Sequence, residues 1–377
     1  MSEVLCQRMR VEVEGTVQGV GFRPFIYRLA SELGLTGWVK NTRNGVVIEV
    51  EGAVPVVEIF LQRMRIGVPP SASIETMSTS VVPVLDDAGF SIERSAESGQ
   101  RALVIPPDLA TCVDCRRELV DPNDRRFRYP FLTCTQCGPR YSLLTAIPYD
   151  RSNTTMVGFD LCSACRVEYS TESDRRFHAE PIACPACGPH LFLWNMQGHK
   201  VADGEEALRR TEVMLDEGLI VAIKGLGGFQ LWVDAKSEED VRRLRDRKRR
   251  PEKPFAVLFP SIEMARAYCQ LSSDEETLLC SPQAPIVLAR KRQDAVLAEA
   301  VAPGNPYLGV MLPATPLPFL PAIASCSASI SVTFLPSSRT EPSDKPSKIS
   351  SECSGSHRRL SPAIYILIID RRPLREC

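Results

Sequence analysis

Cys112-Val113-Asp114-Cys115 is the first of four Cys-x-x-Cys pairs in this chain of 377 residues. The other three are Cys134-Thr135-Gln136-Cys137, Cys162-Ser163-Ala164-Cys165 and Cys184-Pro185-Ala186-Cys187. Eighteen residues separate the two pairs within each half, so the pattern recurs at a period of 50 residues. Asp124-Arg125-Arg126-Phe127 likewise returns as Asp174-Arg175-Arg176-Phe177. The sequence therefore contains a duplication of one small unit, here called the first cassette (residues 112–137) and the second cassette (residues 162–187).

The spacing of these cysteines is typical of structural zinc sites. Two thiolates on one tight turn supply half of a tetrahedron, and a second pair further along the chain supplies the rest. The segments between the pairs hold few large apolar residues, so each cassette needs a bound metal to fold. We predict two structural Zn²⁺ sites; pairing within each cassette is the simplest arrangement, and an interleaved one stays open. The alternative, a disulfide framework, requires an oxidising compartment.

The composition is that of a globular protein. Hydrophobic residues make up 44% and charged residues 24% of the chain, and the net charge is −1. This charge does not attract nucleic acid or an anionic membrane surface, and no apolar run is long enough to cross a bilayer. The first residues lack the basic and apolar segments of a signal peptide, so we expect the protein in the cytoplasm.

The first hundred residues have the pattern of a ferredoxin-like α+β domain. Apolar and charged residues alternate over residues 8–14, which predicts a half-buried strand. A helix begins near Arg23, and Asn44-Gly45 joins two strands in a hairpin. A second helix and strands near 74–82 and 89–92 complete the order βαββαβ.

A glycine-rich loop separates the first strand from the first helix. It comprises Gln18, Gly19, Val20, Gly21 and Phe22, and Arg23 follows it directly. Backbone N–H groups at a helix N-terminus favour an anion, and a guanidinium group can bind two phosphate oxygens. We therefore predict a phosphate site, with a plain structural turn as the alternative.

This region closely resembles acylphosphatase. Residues 15–23 match the phosphate loop of that family, and Gly37-Trp38-Val39-Lys40-Asn41-Thr42 matches the strand that bears its catalytic asparagine. The resemblance implies that Arg23 and the loop amides hold an acyl phosphate while Asn41 orients the attacking water. Such donors would stabilise the charge that grows on the phosphoryl oxygens.

The third region has the pattern of an α/β domain with a basic corner. Asp203 and Glu206 predict a helix start that resembles a capping box. The apolar run at residues 219–223 predicts a strand buried on both faces, and a glycine-rich segment follows it. Eight basic residues then lie between Arg242 and Lys253. A solvated helix face is the plain interpretation of that run, and a phosphate site is the functional one.

The glycine-rich segment after residue 223 and the basic run between Arg242 and Lys253 look like signatures of the YrdC/Sua5 family. That family binds ATP and forms intermediates of the carbamoyl-adenylate type. The resemblance implies that Lys248, Arg250 and Lys253 neutralise nucleotide phosphates. It also implies a nucleotide pocket shaped by Lys224, Gly225, Gly227 and Gly228.

Together, the three signatures resemble the HypF family, the carbamoyltransferases of nickel–iron hydrogenase maturation. This resemblance implies that carbamoyl phosphate is hydrolysed at the first site and that ATP adenylates the carbamate at the YrdC-like site. The carbamoyl group would then pass to the C-terminal cysteine of a partner, HypE, as a precursor of the cyanide ligands of iron. The alternative is a zinc-dependent module that binds protein or nucleic acid without catalysis.

The sequence departs from that family after Leu312-Pro313. Residues 325–361 are rich in Ser and Pro and lack apolar periodicity, which predicts a disordered tail on a truncated or frameshifted chain without the transferase domain. Residues 364–369 are expected to form one strand. We also expect the incomplete YrdC-like sheet to lack a strand, which would leave an open edge and weaken adenylation. The predicted domains are an acylphosphatase-like domain (1–97), a zinc region (98–200), an incomplete YrdC-like domain (201–322) and the tail (323–377).

Overall fold

The structure, a computed structural model, describes residues 6–95, 107–225 and 228–320, together with the backbones of two strands at 329–334 and 364–370. By their contacts these residues fall into two compact units. The first unit comprises the chain up to residue 115 and residues 132–188, and the second comprises residues 116–131 and the chain from 189 to 372. In the described part of the chain, no helix combines the length and hydropathy needed to span a membrane.

A five-stranded sheet with two helices forms the N-terminal part of the first unit. Its elements are β1 (Cys6–Thr16), α1 (Phe22–Glu32), β2 (Thr36–Asn41), β3 (Val46–Ala53), α2 (Val54–Ile66), β4 (Ser73–Val82) and β5 (Phe90–Ile92). The strand order is β4-β1-β3-β2-β5. Strands β2 and β5 pair in parallel, and the other neighbours are antiparallel. The predicted βαββαβ order is confirmed.

The core of this sheet follows from the alternation of apolar side chains along its central strands. Val11 and Val13 on β1 and Ile48 on β3 are at most 1% exposed, since a period of two places them on one face. The buried residues of α1 and α2 that join this core include Ile26, Leu29, Val57, Phe60 and Met64. The core thereby supports the end of β1, from which the glycine-rich loop leaves.

The hairpin between β2 and β3 depends on Gly45. This glycine has a φ of 155°, and a Cβ placed on it would lie 2.0 Å from the carbonyl oxygen of Val13. Because that oxygen belongs to the neighbouring strand β1, no side chain fits at this position. Gly34, which follows α1, has a φ of 64° but has no atom within 4 Å of its Cβ position.

The two cassettes share the same local structure. Helices α3 (Val113–Val120) and α4 (Ser163–Ser170) each begin at the first Cys-x-x-Cys pair of a cassette. Arg128 and His178, which occupy equivalent positions of the repeat, have φ of 56° and 53°. The 3₁₀ helices between the cassettes lie at Tyr141–Leu143, Arg151–Asn153 and Thr155–Gly158. The duplication therefore extends from the sequence to the backbone.

The second unit contains a ten-stranded mixed sheet. Its strands are β6 (His190–Trp194), β7 (Lys200–Asp203), β8 (Ile220–Lys224), β9 (Phe229–Trp232), β10 (Ala256–Leu258), β11 (Cys269–Gln270), β12 (Val287–Lys291), β13 (Tyr307–Met311), β14 (Ser329–Phe334) and β15 (Ile364–Asp370). The described helices are α5 (Gly204–Asp216), α6 (Glu238–Lys248), α7 (Ile262–Tyr268) and α8 (Ser273–Leu279), with 3₁₀ turns at Glu299–Val301 and Leu317–Phe319. The strand order is β11-β12-β13-β10-β14-β9-β8-β15-β6-β7.

The helix start predicted near Asp203 and the buried strand predicted at residues 219–223 are present, with one local correction. Strand β8 is buried along its apolar run, and the side chain of Ser237 caps α6 by accepting from the backbone N–H of Asp240. The capping box predicted at the start of α5 is wrong. Asp203 is the N-cap residue, but its carboxylate accepts from Lys200 Nζ at 3.0 Å and bonds no backbone N–H. Glu206 instead pairs with two arginines on its own helix.

The two strands from the predicted tail lie inside the sheet. Strand β15 confirms the strand expected at residues 364–369, and it pairs with β8 and β6. Strand β14 pairs with β10 and β9, so the expected open edge is absent between those strands. The prediction that residues 325–361 lack periodicity is wrong for β14, because Ile330, Val332 and Phe334 alternate with polar residues there. Residues 321–328, 335–363 and 371–377, on which the rest of the disorder prediction falls, lie outside the described residues.

Replacing Gly45 with alanine is expected to destabilise the N-terminal sheet by roughly 3 kcal/mol or more, because positive-φ strain adds to a clash with the backbone of β1. Gly34→Ala is the matched control, since it carries only the conformational cost of about 1–2 kcal/mol. Hydrogen exchange of the amides in residues 6–53 measures both effects. Equal protection in the two variants would contradict the assigned role of Gly45.

Candidate active site and metal centres

The glycine-rich loop connects the end of β1 to the start of α1. Gly19 and Gly21 have φ of 66° and 77°, and Gly21 is the N-cap residue of α1. Val17 and Val20 are buried in the core and anchor the loop. Among the described residues, no acceptor pairs with the backbone N–H of Gly19, Val20 or Gly21. The loop therefore presents amides that are available to an anion.

Arg23 lies in the first turn of α1, and carboxylates occupy both ends of its guanidinium group. Nη1 lies 2.9 Å from an oxygen of Asp150, and Nη2 lies 3.0 Å from an oxygen of Glu180. Nη2 also donates to the carbonyl oxygen of Tyr149 at 3.3 Å. Burial by itself lowers the pKa of Arg23, but the charges of Glu180 and Asp150 outweigh this effect and raise it. The guanidinium group is therefore firmly charged although it is buried.

Asn41 and Gln18 bind the backbone of Tyr149. Asn41 Nδ2 donates to the carbonyl oxygen of Tyr149, and the Tyr149 N–H donates to Gln18 Oε1, both at 3.1 Å. Gln18 is itself fixed, because its Nε2 donates to the carbonyls of Thr42 and Gly45 at 2.7 Å. Asn41 Oδ1 is buried without a hydrogen-bond partner among the described residues. Such an acceptor is suited to a water molecule or a substrate group.

The structure places Arg23, Asn41 and the loop together, and it adds three residues that the sequence reasoning missed. Tyr149, Asp150 and Glu180 reach the site from sequence positions more than a hundred residues away. No pattern close in sequence marks these residues, because each acts through a contact with residues far away in the chain.

Glu180 is a fixed part of this site. Its carboxylate accepts from the hydroxyl of Tyr169 and from the backbone N–H of Arg151, each at 3.0 Å. Burial raises the pKa of Glu180, and the charge of Arg23 offsets this only in part. His178 lines the same cavity, and burial together with the charge of Arg23 lowers its pKa to about 4. The imidazole is therefore neutral near pH 7.

The eight cysteines of the Cys-x-x-Cys pairs form two separate tetrads, one in each cassette. In each tetrad all four Sγ atoms lie within 4.8 Å of one another. The paired Sγ atoms of the first tetrad are 3.4–3.8 Å apart and those of the second are 3.6–3.7 Å apart. Four sulfurs around one tetrahedral zinc ion lie about 3.8 Å apart. The residues therefore fit zinc, with pairing inside each cassette and not between cassettes.

The second cassette contacts the first tetrad through its Asp-Arg-Arg-Phe motif. Arg175 Nη2 lies 2.6 Å from Cys115 Sγ and 3.5 Å from Cys112 Sγ. Arg176 Nε donates to the carbonyl oxygen of Thr133 at 3.0 Å. A positive group beside four thiolates offsets their negative charge, so the second cassette stabilises the metal site of the first.

The residues predicted to bind nucleotide lie on two segments of the second unit. Lys224 ends β8, and the N–H of Gly225 donates to the carbonyl of Gly228 at 2.8 Å, directly before β9. Gly227 lies outside the described residues. The basic residues Lys248, Arg250 and Lys253 lie together at the end of α6 and in the turn that follows it.

A buried arginine that the sequence reasoning did not single out organises the basic turn. Arg245 donates to the carbonyls of Arg250, Pro251 and Lys253 at 2.8–3.2 Å, and its guanidinium group stacks 4.4 Å from the ring centre of Phe255. Arg250 also bonds backbone, since its Nη2 donates to the carbonyl of Pro254 at 2.6 Å. Arg245 and Arg250 therefore help to shape the turn, while Lys253 is exposed.

Three family models match the chain. Residues 9–92 match the acylphosphatase family, residues 111–144 and 161–194 match the HypF finger, and residues 213–357 match the Sua5/YciO/YrdC family, described as telomere recombination. The last match continues beyond the domain boundary predicted at residue 322.

Curated relatives and a solved structure agree with these matches. The chain is 48% identical over 313 residues to carbamoyltransferase HypF of Synechocystis sp., covering 83% of this chain and 41% of the relative. It is 39% identical over 90 residues to an acylphosphatase of Synechococcus sp., covering 23% of this chain and 96% of the relative. A crystal structure of full-length HypF in the phosphate- and nucleotide-bound form is 41% identical, with a TM-score of 0.82, and the match covers 87% of this chain and 42% of that one. The chain spans about two fifths of the length of the HypF relatives it matches.

We expect the purified chain to retain two zinc ions under mild chelation, one for each tetrad. Cys134→Ser should reduce the number to one, because a site that loses a thiolate binds zinc far more weakly while the other tetrad is untouched. Cys269→Ser is the control, since Cys269 lies in the core of the second unit and belongs to neither tetrad. Elemental analysis by mass spectrometry measures the stoichiometry. An unchanged metal content in Cys134→Ser would contradict the assignment.

Proposed function

Because the chain belongs to the HypF carbamoyltransferase family, we propose that its first unit hydrolyses carbamoyl phosphate at Arg23 and Asn41. The observation that carries this proposal is the convergence of both side chains on one oxygen atom. Arg23 Nη2 and Asn41 Nδ2 lie 3.3 Å and 3.1 Å from the carbonyl oxygen of Tyr149. Two donors aimed at one oxygen, beside a loop with unpaired amides, suit a phosphoryl group and its attacking water.

The proposed chemistry divides the work between charge stabilisation and orientation. The amides of Gly19, Val20 and Gly21 and the guanidinium group of Arg23 bind the phosphoryl oxygens, where negative charge grows in the transition state. Asn41 orients a water molecule whose oxygen forms the new bond to phosphorus. The bond from phosphorus to the carbamoyl oxygen breaks, carbamate leaves with the electron pair, and the water protons pass to phosphate and solvent. No covalent intermediate with the protein is needed.

We propose that the second unit activates the resulting carbamate with ATP. The Sua5/YciO/YrdC match and the similarity to a HypF structure with bound phosphate and nucleotide support this step. Lys248, Arg250 and Lys253 would neutralise the phosphates, and Lys224 with Gly225, Gly227 and Gly228 would shape the pocket. An oxygen of the carbamate would attack the α-phosphorus of ATP and release pyrophosphate, which gives carbamoyl adenylate.

The acceptor of the carbamoyl group is implied by the resemblance to the HypF family. We propose that the protein serves hydrogenase maturation in the cytoplasm and that the carbamoyl group passes to the C-terminal cysteine of HypE, as the precursor of the cyanide ligands of iron. Zinc, bound by the eight cysteines, would have a structural role only, because a site with four thiolate ligands leaves no open position for a substrate.

Arg23→Ala and Asn41→Ala should each lower kcat for phosphate release from carbamoyl phosphate by about 100-fold or more. Arg23→Ala removes a donor to the developing charge, which costs this much, and Asn41→Ala removes the group that orients the attacking water. Arg63→Ala is the matched control, because Arg63 lies on the surface of the same domain in an ion pair with Glu32. Colorimetric phosphate release measures the rate. Full activity in Arg23→Ala would refute the proposed site.

A further inference from the structure

We propose that Asp150 competes with the phosphoryl group for Arg23 and thereby sets the affinity of the site, while Glu180 is a positioning residue that stays on Arg23. This inference rests on the proposed function of the Arg23 site. It concerns only residues of the first unit, in which the segment between the cassettes meets the glycine-rich loop.

The first argument is that both terminal nitrogens of Arg23 already have protein partners. Nη1 is held by Asp150 at 2.9 Å, and Nη2 is shared by Glu180 and the carbonyl of Tyr149. The cavity beside Arg23 measures about 20 Å³, which is room for one or two water molecules. A phosphoryl group therefore binds both terminal nitrogens of Arg23 only after one of these partners has left.

The second argument identifies the partner that leaves. The side chain of Asp150 is 23% exposed, whereas that of Glu180 is 3% exposed. Glu180 is also held by the hydroxyl of Tyr169 and by the N–H of Arg151. Among the described residues, Arg23 is the partner of the Asp150 carboxylate. Displacing Asp150 breaks one ion pair at the edge of the site, whereas displacing Glu180 would leave a buried carboxylate unpaired.

The third argument is that the Tyr149–Asp150 segment resembles a bound ligand. The Tyr149 carbonyl accepts from Asn41 and Arg23, its N–H donates to Gln18, and the next residue supplies an anion to the same guanidinium group. Of these groups, the proposed mechanism assigns Arg23 to the phosphoryl oxygens and Asn41 to the attacking water. The Asp150 carboxylate therefore takes the place of an anionic substrate group on Arg23 until an acyl phosphate displaces it.

Electrostatics give the direction of the effect. One guanidinium charge already faces two carboxylates, so an incoming phosphate dianion meets net negative charge unless Asp150 moves away. An asparagine keeps the shape of Asp150 but removes its charge, and its hydrogen bond to Arg23 is weaker. In Asp150→Asn, residue 150 therefore leaves Arg23 more easily, and phosphate binds more tightly.

The test compares Asp150→Asn with wild type and with Asp160→Asn, an exposed aspartate in the same segment between the cassettes. We expect Asp150→Asn to tighten the binding of inorganic phosphate about tenfold by calorimetry. It should also lower KM for carbamoyl phosphate by a similar factor, with kcat changed by less than about threefold. Asp160→Asn should match wild type. Glu180→Gln should instead lower kcat about tenfold with a smaller change in KM, because Arg23 loses its fixed partner.

Unchanged or weaker phosphate binding in Asp150→Asn would overturn the inference, as would equal effects of Asp150→Asn and Glu180→Gln on KM. Circular dichroism checks that each variant is folded, and Asp150→Ser replaces Asp150→Asn if that variant unfolds. Phosphate binding does not require turnover, so the two proposals fail separately. Tighter phosphate binding without any hydrolysis would refute the proposed function alone, and normal hydrolysis with unchanged binding would refute this inference alone.

Discussion

The bond between four thiolates and one metal ion is the constraint on which the arrangement of the first unit depends. The second cassette has a very small apolar core, whose buried residues are Cys165, Ala179, Ile182 and Cys184. Two of these four are themselves metal ligands, so burial of apolar surface contributes little to stability. Zinc binding to peptides of this type supplies about 10–16 kcal/mol, which is enough to fold a segment of this size. The metal therefore contributes most of the stability of this cassette, to which residues 178–182 belong.

Residues held in place by the second cassette reach the candidate active site. Arg151 Nη1 donates to the carbonyls of Glu180 and Ile182 at 2.6 and 3.1 Å, and its Nη2 donates to the carbonyl of Phe159 at 2.7 Å. Through these bonds the segment between the cassettes is fixed to the chain that leads into Cys184. The zinc region therefore contributes to the candidate active site, because it supplies the carboxylates of Asp150 and Glu180 and the carbonyl group of Tyr149 that surround Arg23. These carboxylates raise the pKa of Arg23, and burial together with the charge of Arg23 keeps His178 neutral.

Local patterns predicted much of this structure, and long-range contacts account for what they missed. Alternation in β1, the Asn44-Gly45 hairpin and the cysteine spacing each depend on residues close in sequence. Asp150 and Glu180 had no such pattern, because their role depends on a contact across more than a hundred residues. Strand β14 was missed although Ile330, Val332 and Phe334 alternate, since the Ser- and Pro-rich composition around them suggested disorder. In the basic run, composition could not separate Arg245 and Arg250, which bond the backbone of the turn, from the exposed Lys253.

X-ray absorption at the zinc edge of the purified chain tests the central claim most directly, because it reports the ligands of the metal without reference to activity. The predicted result is four sulfur ligands at about 2.3 Å for every zinc ion, with no nitrogen or oxygen ligand. Nitrogen or oxygen ligands on the zinc would contradict the two sites with four sulfur ligands. A zinc-free protein in which the cysteines of the two tetrads form disulfides would contradict them as well.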